Sequence, residues 1–95
     1  TKEDWARINA TNGKINEKII ANMDKGIGNS EVQKAVAELR KHITDNFYDC
    51  TIEIFRGLAD LYVKDERFTA NIDKQKEGLA KFLSESMIYY CENVK

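Results

Sequence analysis

The chain has 95 residues, 42% hydrophobic and 33% charged, with fifteen Lys plus Arg against sixteen Asp plus Glu and a net charge of −1. Such a composition excludes a disordered or low-complexity chain and describes one small globular domain. The near-neutral balance gives no electrostatic reason to approach a polyanion, and no apolar run nears the length of a membrane span or the pattern of a signal peptide.

A cytoplasmic location is therefore expected, and with it two reduced thiols at Cys50 and Cys91 rather than a disulfide. A chain opening on Thr1 without a methionine is expected to be one domain, 1–95, of a longer protein. Proline is absent and glycines number only five. Apolar residues recur at three- and four-residue intervals almost throughout, the period of helix and not of strand, so the predicted class is all-α.

Thr1 can cap a first helix whose opening turn carries Glu3 and Asp4, acids favoured at a helix N-terminus. Its apolar face is Trp5, Ile8, Ile15, Ile19 and Met23, with Asn12 where another apolar residue would fall, and Gly26 and Gly28 are expected to stop it. Ser30 with Gln33 fits a capping box for a second helix, whose stripe is Val32, Val36, Leu39, Ile43 and Phe47. Asp49 or Thr51 can cap a third helix running to about Lys64, with Ile54, Phe55, Leu58, Leu61 and Tyr62 on a broad apolar face. Asp65 is expected to cap a short helix from Glu66 to Ile72, and Asp73 the last one, to about Asn93. That last helix carries Leu79, Phe82, Leu83, Met87, Ile88, Tyr90 and Cys91, and Gly78 near its start is read as a close helix crossing.

Catalytic and metal readings weaken on inspection. His42, the only histidine, falls off the stripe beside Lys41 and reads as a half-exposed surface imidazole rather than a base for either cysteine. No nucleophile elbow, phosphate loop or zinc-protease motif is present. The stretch from Asp65 to Glu77 fails as a calcium loop: Arg67, Ala70 and Lys76 stand where a third ligand, a turn glycine and a terminal glutamate are needed. The cysteines and His42 lack metal-ligand spacing. No catalytic residue, metal or cofactor is therefore assigned.

Arg67, between Asp65 and Phe68, is expected to pair with Asp65 and hold the turn while its stem covers apolar surface. Gly57 inside a helix costs about 1 kcal/mol relative to alanine, offset either by a close helix crossing or by space left for a ligand. The aromatic set Trp5, Tyr48, Phe55, Tyr62, Tyr89 and Tyr90 reads by periodicity as ordinary core before it reads as a cleft lining.

The run Tyr48-Asp49-Cys50, then Arg56-Gly57-Leu58, Leu61-Tyr62-Val63-Lys64-Asp65-Glu66-Arg67-Phe68, Asn71-Ile72-Asp73 and Gly78-Leu79-Ala80-Lys81-Phe82-Leu83 resembles the TipAS antibiotic-recognition family. The opening Thr1-Lys2-Glu3-Asp4-Trp5 is similar to the start of that family's ordered region. The resemblance implies a globin-like bundle of four to five helices without haem. It also implies the effector-binding domain of MerR-type transcription activators, which captures thiopeptides or other bulky drugs to control resistance or efflux genes. DNA binding and dimerisation would then belong to an N-terminal domain and a coiled coil outside this chain.

In the thiopeptide-binding prototype a second cysteine, seven positions after the one matching Cys50, adds to a dehydroalanine of the drug. Here that position is Gly57, so reversible binding is expected. Glu77 replaces a frequent proline, which would let the last helix begin earlier. The expected ligand residues are Trp5, Ile8, Phe47, Tyr48, Cys50, Ile54, Gly57, Leu58, Tyr62, Met87 and Tyr90, in a cleft walled by the third, last and first helices. Two other readings stay open: a free drug-sequestering protein, and a helical module whose aromatic cleft receives a partner helix.

Overall fold

A computed structural model describes residues 2–94 as five α-helices. These are α1 (Lys2–Ala21), α2 (Ser30–Asn46), α3 (Ile52–Lys64), α4 (Glu66–Asp73) and α5 (Leu79–Asn93), with a 3-10 turn at Met23–Lys25 after α1. Among the described residues there is no strand. The bundle is all-α and globin-like. The cap assigned to Thr1 lies outside the described residues.

Two helix pairs organise the bundle: α1 packs on α2, and α3 packs most extensively on α5. Ile15 and Ile19 of α1 meet Val32, Ala35, Val36, Leu39 and Ile43 of α2, joined in one core with Phe55 and Ala59 of α3 and Leu79, Leu83 and Met87 of α5. Phe55, fully buried, sets its ring edge-on to Tyr90 at 5.6 Å. Such a contact adds to the area it removes from water.

The helix ends follow local chemistry. Thr51 caps α3, its Oγ1 accepting from Ile54 N–H at 3.2 Å. Asp65 closes α3 and caps α4, accepting from Arg67 N–H at 2.9 Å. The cap of α2 is Asn29 and not Ser30: its side chain accepts from Glu31 and Val32 N–H. Gln33 is thus released from the expected capping box. Its Nε2 donates instead to the carbonyls of Ile27 and Ser86, tying the α1–α2 connection to α5.

The last helix begins at Leu79, later than Asp73 capping predicts and no earlier for having Glu77. Gly78 takes φ +83°, a left-handed conformation that regular helix cannot continue through. No neighbouring atom lies within 4 Å of where its Cβ would stand, so the glycine serves the turn and not a helix crossing. Asp73 still satisfies an orphan donor of α5, accepting from Ala80 N–H at 2.9 Å across that turn.

His42 is buried, contrary to its expected exposure. It falls three residues after Leu39 and seven after Ala35, all buried, at the seam that α2 makes with Ile15 and Lys18 of α1. A lone helix cannot show which flank of its stripe a neighbour will cover.

Candidate functional site

The α3 helix carries two apolar lines. Phe55, Ala59 and Tyr62 turn inward, Phe55 and Ala59 completely. About 100° around the helix, Ile54, Gly57, Leu58 and Leu61 share a second face at i, i+3, i+4 and i+7. On that face Ile54 is 43% and Leu61 38% exposed, while Leu58 is half-buried against the core. Gly57 is exposed, and its missing Cβ would meet nothing within 4 Å. Close helix crossing is thereby excluded as the reason for that glycine, which leaves a flat window in the stripe.

An aromatic corner stands where α2 turns into α3. Phe47 closes α2, half exposed rather than ending the buried stripe, with Trp5 of α1 6.1 Å away and His42 edge-on at 6.4 Å. Tyr48 follows, also exposed, and it lies near Tyr62 and Cys50: all three share the local electrostatics of Tyr62, whose hydroxyl is pushed up first by burial and then by those two neighbours. Tyr62 stacks on Phe68 of α4 at 6.1 Å. Trp5, Phe47, Tyr48, Tyr62 and Phe68 thus run from α1 across the α2–α3 corner to α4. The exposed members of this run, Trp5, Phe47, Tyr48 and Phe68, are large apolar side chains of the kind that mark a recognition face when they gather in a patch.

Not every predicted site residue reaches this face. Cys50 and Met87 are fully buried and belong to the core. Cys50 is held by its backbone, its N–H donating to Thr44 Oγ1 at 3.1 Å and its carbonyl accepting from Arg40 Nε at 2.7 Å. Burial pushes the Cys50 and Cys91 thiols up, the nearby arginines opposing. Both thiols are free, and Cys50 stays protonated and inaccessible, which makes a poor nucleophile. Tyr90 packs inward on Phe55, with its hydroxyl 3.3 Å from Arg40 Nη1. Ile8 is half-buried on α1.

The cleft expected between the third and last helices is filled: α3 and α5 join through their own side chains in the core. The α1 helix rests on α2 rather than forming a third wall, reaching the corner through Trp5 and Phe47.

Arg40 escaped the sequence reading. It stands four residues after Val36 and three before Ile43, a cation on a buried stripe, and that anomaly is the signal that would have found it. Arg67 does pair with Asp65, at 3.3 Å, and its side-chain and backbone hydrogen bonds hold the Asp65 carboxyl below the usual range. Its side chain is 91% exposed, so the stem covers no apolar surface. No described helix is long and apolar enough to cross a membrane.

A sequence profile of the TipAS antibiotic-recognition domain matches residues 1–90, and the chain belongs to that family. It is 46% identical over 91 residues to the HTH-type transcriptional activator mta of Bacillus subtilis (96% of this chain, 35% of that protein). It is 38% identical over 90 residues to the HTH-type transcriptional activator TipA of Streptomyces coelicolor (93% and 36%). The chain thus spans about a third of the length of these curated relatives. Among solved structures it superposes on TipAS of Streptomyces lividans in complex with nosiheptide with a TM-score of 0.91 and 35% identity, covering 97% of this chain and 66% of that one. It superposes on the antibiotic binding domain of a TipA-class multidrug resistance transcriptional regulator with a TM-score of 0.83 and 33% identity, covering 93% and 96%.

Proposed function

We propose that this chain is the effector-binding domain of a cytoplasmic MerR-type transcriptional regulator, and that it reversibly binds bulky hydrophobic antibiotics. It acts as a binding module and not as an enzyme. DNA contact and homodimerisation belong to other parts of the full regulator, and the output is control of resistance or efflux genes. The observation that carries this reading is the exposed apolar surface of Ile54 and Leu61 on the second line of α3 together with the exposed aromatic corner of Trp5, Phe47 and Tyr48. Family membership and the antibiotic-binding neighbours support it.

Reversibility follows from the thiols. Gly57 carries no nucleophile, and Cys50 is buried and protonated. Affinity then rests on apolar area and aromatic stacking.

Thermal denaturation with nosiheptide or another thiopeptide tests the proposal. At a free concentration about a hundred times the dissociation constant, the ligand adds about 2.7 kcal/mol of stability. Leu61→Asp, an exposed change, should leave the unliganded transition nearly in place and abolish most of that gain. An equal gain in both proteins would place the ligand elsewhere, and no gain with any bulky antibiotic would reject drug binding.

A further inference from the structure

A cleft of about 440 Å³ lies where α4 meets α5, bounded by Thr69 and Asp73 of α4, by Lys81, Ser84 and Glu85 of α5, and by Val63 near the end of α3. Small-molecule sites span about 300 to 1,000 Å³, and this one falls within that range. Val63 stands nine residues after Ile54, about 180° around the helix. The cleft therefore opens on the opposite flank of α3 from the line of Ile54 and Leu61.

Asp73 Oδ1 accepts from Ala80 N–H at 2.9 Å. That bond sets Thr69 and Asp73, one turn apart on α4, beside Ala80 and Ser84, one turn apart on α5. Ser84 is only 4% exposed. A buried helical serine commonly donates to the carbonyl four residues back, as Ser86 does to Phe82 at 2.7 Å. The Ser84 hydroxyl makes no such bond, nor any other among the described residues. His42 Nε2 is the one unpartnered side-chain atom among them that is sealed from solvent, so the Ser84 hydroxyl is open, and it opens onto this cleft. Thr69 Oγ1 commits its single proton to the carbonyls of Tyr62, at 2.6 Å, and Asp65, at 3.3 Å. It can only accept from anything in the cleft. Asp73 Oδ2 has no partner among the described residues. Asp73 and Glu85 against Lys81 leave one negative charge, and among the described residues neither Lys81 nor Glu85 is ion-paired.

We propose that this cleft binds a primary alkylammonium ion. Its three N–H donors match the three acceptor oxygens, Thr69 Oγ1, Asp73 Oδ2 and Ser84 Oγ, and its charge matches the surplus carboxylate. The hydrocarbon chain lies on Val63 and the Lys81 stem. A buried hydroxyl without a partner bears its desolvation penalty until one arrives, and the ammonium supplies it. The site is separate from the Ile54 and Leu61 line, so the proposal does not rest on drug binding.

n-Butylammonium chloride titrated into ¹⁵N-labelled protein, at neutral pH and constant ionic strength, should shift the Ala80 and Ser84 amide resonances saturably. Butyltrimethylammonium has the same charge and chain but no N–H donor, and its midpoint should lie about tenfold higher or more. Ser84→Ala removes a hydroxyl that has no partner, so the melting temperature should hold while the butylammonium midpoint rises about tenfold. A linear drift without saturation, or a midpoint unchanged by Ser84→Ala, overturns the site. Equal midpoints for the two cations overturn the match of donors to acceptors, and saturation by sodium butyrate instead of butylammonium overturns the charge assignment.

Discussion

Gly57 is a helix-interior glycine with neither a positive φ nor a crowded Cβ position to require it. Gly57→Ala should therefore stabilise the unliganded domain by about 1 kcal/mol, the helix-propensity difference, as read from the denaturant midpoint. An unchanged or lower midpoint would mean that the window has a structural role. Gly57→Cys probes the recognition face more directly, because the new thiol would project into open space. Against a dehydroalanine-bearing thiopeptide, its sulfur would bond the β-carbon of the alkene while a proton passes to the α-carbon. Intact mass should then increase by one drug mass, whereas the parent protein, with Cys50 buried, should show no adduct. Absence of the adduct in Gly57→Cys would move the ligand off this part of α3.

The elements show which information a linear pattern holds. Thr51 and Asp65 cap where their types and spacing predict, because the capping bonds are made within three residues. Partners further away are less legible. Nothing local distinguishes Asn29 from Ser30 as the cap of α2, or tells that Gln33 would be claimed by Ser86 of a different helix. The broad apolar face of α3 is visible in the sequence, but only the packing against α5 decides that Phe55 and Ala59 form core and Ile54 and Leu61 do not. His42 fails for the same reason, since its burial depends on α1.

The Asp65 corner supports a prediction at this scale. Its carboxyl is held below the ordinary value of 3.8 by the Arg67 side chain, then by the Arg67 amide. A group with a depressed folded pKa contributes its stability above the unfolded value and loses it as pH falls through the folded one. Asp65→Asn keeps a capping oxygen but cannot ionise. It should lower the melting temperature at neutral pH and shrink the fall on acidification below about pH 4 relative to the parent. Parallel curves for the two proteins would show that the Arg67 pair contributes nothing.

Across the whole molecule, stability is distributed unevenly along α1. Its second half is anchored by Ile15 and Ile19 in the core and by Asn16, whose Nδ2 donates to Gln75 Oε1 at 3.3 Å. From Lys2 to Asn12 no residue is fully buried, and Trp5, 57% exposed, meets the bundle through Phe47. Ordering each residue costs about 1 to 2 kcal/mol, and a helix this short is marginal in water without tertiary support. Amides of residues 2–12 should thus exchange far faster than those of α3 and α5, which open only with the domain. A bulky aromatic antibiotic on the α3 face adds apolar surface beside Trp5 and Phe47, and its differential affinity for the docked helix shifts α1 toward order. Hydrogen exchange with and without nosiheptide should show slowed exchange in residues 2–12 on binding. Trp5→Ala should weaken that slowing while leaving α5 protection unchanged. If residues 2–12 exchange alike in both states while the thermal shift shows binding, the drug is held by the bundle alone and α1 does not transmit its presence.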